Sequence, residues 1–187
     1  MALLVLALVF VSCGEEKMTF DEAREVLPTL VEKSLPLNEI YFGYGFMPSA
    51  AHELEEVAGY YYADCSKLGL YSISEIKDAT VEVFTPEYAA ILYAPAFDGV
   101  AAGETVVPPK FMEGEKGIMQ SMSATVYDLP KREYRFDTLN IVKSEKDRMT
   151  LSLESEADGN VSRFEVILVR TKAENGGYTY RLDSPTY

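Results

Sequence analysis

The run Met149–Thr171, MTLSLESEADGNVSRFEVILVRT, decides the fold. Met149, Leu151 and Leu153 alternate with Thr150, Ser152 and Glu154, and after Asp158-Gly159-Asn160 the alternation resumes with Phe164, Val166 and Leu168. A period of two sends successive side chains to opposite faces, so each half predicts an antiparallel strand with one buried face. The Asp-Gly between them is strong hairpin chemistry, because both residues tolerate the positive φ of a tight primed turn. Working outward, Arg132–Val142 precedes this hairpin as a strand, and Tyr178–Asp183 follows it through the turn Asn175-Gly176-Gly177. Lys110–Met112 and Gly117–Ser121 are shorter strand candidates upstream.

Before Pro109 the periodicity is helical. Thr19 and Glu22 have the spacing of a capping box, and Asp21 suits the positive end of the helix dipole. Phe20, Ala23, Val26, Leu27, Leu30 and Val31 then recur on one face, predicting a helix over Phe20–Ser34 with a kink at Pro28. Ser72 and Glu75 repeat the capping pattern and open a helix through about Phe84; Thr85 with Pro86 starts a third, ending near Tyr93. Met47–Val57 is polar with a short helical tendency, Tyr60–Asp64 reads as extended, Lys67–Gly69 as a turn, and Asp98–Pro109 as the longest loop. The expectation is one α+β domain over residues 19–187, its helices packed on a curved antiparallel β-sheet that wraps them as a meander.

Thirty acidic against 17 basic side chains give a net charge of −13. That balance excludes nucleic acid as a partner, since phosphate binding needs clustered Lys and Arg, and it suits a protein with a basic surface. The chemistry-bearing residues are sparse. His52 is the sole histidine and sits on a polar segment, where a solvated position outweighs catalysis, and His/Cys zinc sites are excluded. Glu53, Glu55 and Glu56, and Glu154, Glu156 and Asp158, lack calcium-loop spacing and read as solvated faces. Phe42-Gly43-Tyr44-Gly45-Phe46 is not a phosphate loop, because no Lys-Ser/Thr follows its glycines. No cofactor or metal is implied.

Tyrosine is the more informative population. Tyr41, Tyr44, Tyr60, Tyr61 and Tyr62 cluster early in the chain, and tyrosine is enriched at interfaces. Three consecutive tyrosines on an extended segment must point to both faces, so at least one of Tyr60–Tyr62 should be exposed or line a groove. These five are the candidate partner-binding residues, weighed against ordinary strand and core-margin positions.

Met1–Ser12 is apolar apart from its serine and carries no charge, and Cys13 stands where it gives way to Gly-Glu-Glu-Lys. The block is too short to span a bilayer and has the size of a signal-peptide core. Phe10-Val11-Ser12-Cys13 resembles the bacterial lipobox, with Phe10 in place of the usual leucine and no Lys or Arg at the start. The resemblance implies a signal peptide over residues 1–12, lipidation of Cys13, a tether over residues 13–18, and attachment at the outer face of the cytoplasmic membrane (or in the periplasm or outer membrane of a diderm) through that lipid alone. Cys65 then has no partner for a disulfide and reads as a small buried hydrophobe.

Four traits together resemble the DL-endopeptidase inhibitor family of small secreted or lipid-anchored Gram-positive proteins, with cystatin-like or NTF2-like relatives. They are the helix Phe20–Ser34, the Tyr60–Tyr62 segment, Phe84-Thr85-Pro86-Glu87, and the ending Tyr180-Arg181-Leu182-Asp183-Ser184-Pro185. The resemblance implies a non-enzymatic protein that occupies the cleft of a peptidoglycan-cutting peptidase. No inhibitory residue carries over, because no motif matches. Two other readings stay open: a carrier of a small ligand in an apolar pocket between sheet and helices, and an enzyme with a carboxylate-based site. A deep apolar cavity would favour the carrier, and a closed core with an exposed tyrosine surface the partner-binding protein.

Overall fold

A computed structural model describes residues 17–49 and 56–187. Cys13 and His52 lie outside the described residues. The chain is α+β, with an N-terminal helix packed against a curved antiparallel sheet. Helix α1 spans Phe20–Tyr41 and starts as its capping box requires: Thr19 Oγ1 accepts from Glu22 N, and Glu22 Oε2 accepts from Thr19 N at 2.6 Å. Ala23, Leu27, Leu30 and Val31 are buried on the expected face.

The helix does not end at Ser34 as the sequence suggested. Ser34, Leu37, Asn38 and Tyr41 prolong the buried stripe at helical spacing, so burial carries the helix past Pro36. Pro28 and Pro36 have no N–H to offer the carbonyls of Arg24 and Glu32, but both of those residues are at exposed positions where water can serve instead. The C-terminal residues close over this face. Thr186 Oγ1 lies 2.6 Å from Ser34 Oγ and accepts from Asn38 Nδ2 at 2.8 Å.

Helices α2 (Ile73–Val83) and α3 (Pro86–Tyr93) follow, capped by Ser72 and Thr85. In the second capping pair Glu75 Oε2 takes the N–H of Tyr71 instead of completing the box at Ser72. A single π-helical turn over Ala94–Asp98 extends α3.

The strands form two main sheets where the sequence suggested one meander. The first is irregular: β1 (Met47–Pro48) and β2 (Glu56–Val57) both pair with β3 (Tyr60–Asp64), which pairs with β7 (Gly117–Ser121) and so with β6 (Phe111–Gly114). Thus Met47–Val57, expected to have helical tendency, contributes two short strands. Asp98–Pro109, expected as a loop, contains an exposed hairpin of β4 (Val100–Ala102) and β5 (Thr105–Val107).

The second sheet is the predicted meander, β8 (Glu133–Ser144), β9 (Arg148–Ala157), β10 (Asn160–Lys172) and β11 (Tyr178–Leu182), in that spatial order. Ala157 pairs with Asn160, and Asp158 (φ +51°) and Gly159 (φ +77°) form the tight turn. Met149, Leu151, Leu153, Val166 and Leu168 are all buried in one core with Leu27, Ile40 and Phe84.

The start of α1 is pinned to this sheet. Met18 N donates to Lys146 O at 2.9 Å, while Arg170, buried beneath, donates to Asp147 Oδ1 and to Glu22 Oε1. Tyr180 Oη donates to the same Glu22 oxygen at 2.7 Å. The Thr19 N–H, then the Tyr180 hydroxyl, with Arg170 as a smaller influence, hold the Glu22 carboxyl down at about 2.

Candidate functional site

The end of α1 leads directly into Phe42–Phe46, and this five-residue turn has nearly every main-chain polar group engaged. Phe42 and Gly43 donate to Asn38 O, and Gly45 N donates to Glu39 O. Tyr44 N donates to the Glu39 carboxylate at 2.9 Å. The carbonyls are met from the sheet side: Phe42 O by Tyr127 N, Gly43 O by Lys110 Nζ, Tyr44 O by Gln120 Nε2 and Phe46 O by the Tyr61 hydroxyl. Gln120 Oε1 accepts in return from Phe46 N at 2.8 Å. Lys110 and Gln120 are 6% and 3% exposed, so the loop rests on a buried polar scaffold. Lost rotamer and backbone entropy is one of the main costs of binding, and a loop held this way has lost much of it beforehand.

The two glycines serve this scaffold. Gly45 has φ +74°, and a Cβ there would lie 2.5 Å from Gln120 Oε1; a Cβ on Gly43 would collide with the Glu39 carboxylate. The positive φ favours glycine at Gly45, and a Cβ at Gly43 would push the Glu39 carboxylate out of its place on the loop.

On this frame Tyr44 stands 56% exposed, beside Met47 at 71% and Met122 at 62%. With Tyr61, Phe46 and Val126 they line a groove of about 280 Å³. Tyr and Met are favoured at the buried centre of protein interfaces because they offer large contact area with few polar demands.

The candidate tyrosines therefore divide. Tyr44 and Tyr61 come together at the groove. Tyr41, Tyr60 and Tyr62 do not, and their proposed part in a binding surface is corrected: all three rings are buried. Tyr41 sits under α2 with its hydroxyl 2.7 Å from Thr80 Oγ1, and burial raises its ionisation far above the usual range. Tyr60 donates to Pro109 O at 2.6 Å, and Tyr62 packs on Met119. Alternation on β3 is the cause, placing Tyr60 and Tyr62 on one face and Tyr61 on the other. Glu39, Lys110 and Gln120, which build the loop, escaped the sequence reading. Their partners are main-chain atoms up to 76 residues away, and no local pattern encodes that pairing.

Cys65 is buried, and desolvation, with Asp64, Glu113 and Glu75 nearby, pushes its thiol up to about 11. Such a thiol is a poor nucleophile at neutral pH. Among the described residues no group of three or more His, Cys, Asp or Glu side chains is placed to hold a metal ion, and no helix is long and apolar enough to cross a membrane.

No protein-family model matches the chain, and a search of curated proteins returns no match.

Proposed function

We propose that this chain is a non-enzymatic, lipid-anchored cell-envelope protein that binds a partner protein through the Tyr44–Tyr61 groove. The observation that carries the reading is the pinned loop: a buried ammonium, a buried carboxamide and a carboxylate fix five residues so that an exposed aromatic projects from them. Stability alone does not call for an exposed tyrosine at the apex of such a scaffold.

The partner is an envelope protein with a basic surface, to which the net charge of −13 is complementary. A peptidoglycan hydrolase blocked at its cleft is the specific partner implied by the family resemblance. Helix α1 is 22 residues long, or about 33 Å at 1.5 Å per residue. Its start would lie a short tether from the lipid on Cys13, so the groove at its far end would lie up to about 33 Å beyond that tether. A rigid loop at that distance can reach a soluble or wall-associated protein.

Binding of the soluble Gly14–Tyr187 domain to basic peptidoglycan-cutting peptidases, read as inhibition and as direct affinity, tests the proposal. Tyr44→Ala should weaken binding by about 2 kcal/mol if Tyr44 is a hot spot, with an unchanged unfolding midpoint. Association should slow on raising salt. A partner bound equally well by wild type and by Tyr44→Ala and Tyr61→Ala chains would overturn the assignment of the groove.

A further inference from the structure

Beside the pinned loop lies a second cavity, of about 150 Å³, which adjoins the groove at Ser121 and Ala124. Its floor is formed by the buried residues Tyr41, Ala96, Lys110 and Ser121, and its rim by the exposed Ser123 and Thr125. It has room for several waters, or for one compact solute. It is smaller than the usual cavity for a drug-sized ligand, about 300 Å³ and upward.

Lys110 is unusual in how its charge is treated. Its ammonium donates to Ile40 O at 2.8 Å, in the last turn of α1, and to Gly43 O at 2.7 Å, in the loop that follows. An ammonium has three N–H donors, so one remains beyond these two bonds. No described carboxylate forms an ion pair with it. Glu39, whose charge Lys110 does feel, is engaged by Tyr44 N. The other buried cation, Arg170, receives both Asp147 and Glu22. The Phe111 ring lies 5.4 Å beneath the Lys110 ammonium, and Glu39 acts on it from a distance, so in a chain with 30 acidic side chains this buried charge is only partly compensated and lacks the direct ion pair that would offset its burial. The adjoining hydroxyls suit an oxyanion: Ser121 Oγ and Ser123 Oγ lie 3.2 Å apart, and Thr125 adds a third at the mouth.

We infer that this cavity binds a small oxyanion, a carboxylate or an inorganic phosphate, with the Lys110 ammonium as its principal contact and the Ser123 and Thr125 hydroxyls closing over it. The inference does not rest on the groove reading, since it needs no protein partner and uses neither Tyr44 nor Tyr61, although Lys110 also holds the pinned loop and Ser121 borders both places.

Amide NMR of the full chain, titrated separately with sodium phosphate and sodium acetate at constant ionic strength, tests it, with sodium chloride as the control. Saturable shifts centred on Lys110, Ser121, Ser123 and Thr125 with either oxyanion, and not with chloride, are expected. The anion that saturates at the lower concentration names the class. Lys110→Met should weaken binding about tenfold or more, as loss of a charge-assisted hydrogen bond implies. Ser123→Ala and Thr125→Val change exposed side chains, leave the core untouched, and should each weaken it several-fold; they carry the test if Lys110→Met does not fold. Shifts that grow without saturation, that chloride reproduces, or that persist with unchanged affinity in both rim variants overturn the site.

Discussion

Lys110 makes a prediction whose sign and size both follow from its surroundings. Burial pushes its ammonium down to about 8 from an ordinary 10.5, with the Glu39 carboxylate only partly opposing the shift. Below pH 8 the folded and unfolded chains both hold the proton, so the group's contribution is constant. Between about pH 8 and pH 10.5 the folded chain has released it while the unfolded chain keeps it. Stability therefore rises with pH across that window, because the unfolded state binds more protons. The gap of 2.5 at about 1.36 kcal/mol each sets an upper limit of about 3 kcal/mol. A neutral amine still has two N–H donors, enough for Ile40 O and Gly43 O, so the loop should survive deprotonation. Urea unfolding of wild type and Lys110→Met, measured from pH 7 to pH 10.5, isolates the effect, since ionisation of Tyr41 and the other tyrosines is common to both chains and cancels in the difference. The wild type should gain on the variant by about 2–3 kcal/mol over that range. Parallel curves, or a wild type that loses ground as pH rises, would refute the account of Lys110 as a desolvated cation.

Glu22 should behave in the opposite sense: its carboxyl is held at about 2 against an ordinary 4.5, so the stability it lends is present above pH 4.5 and lost as pH falls toward 2, a loss that Glu22→Gln should abolish in acid-unfolding curves. Leu151→Ala and Leu168→Ala each empty a fully buried position and should cost about 2–5 kcal/mol in urea unfolding; a change under about 0.5 kcal/mol would match a surface site instead. Gly45→Ala puts a Cβ against Gln120 at a positive φ and should reduce partner binding more than it reduces the unfolding midpoint. Labelled palmitate should enter the wild-type chain and not Cys13→Ser, and equal labelling of both would remove the anchor from the proposal.

Some of the loop's logic was legible in advance. Phe42-Gly43-Tyr44-Gly45-Phe46 could be set aside as a phosphate loop from its spacing alone, and Tyr60–Tyr62 had to split between two faces. Which face would be buried was not legible, because that depends on where β7 lies: Tyr60 pairs with Ser121 and Tyr62 with Met119, residues about 60 positions downstream. The same holds for the helix. Thr19 and Glu22 fixed the start of α1, since capping acts within one turn, whereas its end depends on packing beneath the C-terminal residues around Thr186.

Sequence by itself thus determined what depends on near neighbours: the capped helix starts, the Asp158-Gly159 turn, the alternation of β8 to β11, and so the α+β class. Tertiary structure decided what depends on meetings between distant segments: the split into two sheets, the burial of Tyr41, and the gathering of Glu39, Lys110 and Gln120 beneath one loop. The physical reason is range. Capping bonds, turn dihedrals and strand alternation are satisfied within a few residues, while a buried ammonium or carboxamide takes its partners from whatever backbone the packed core brings beside it.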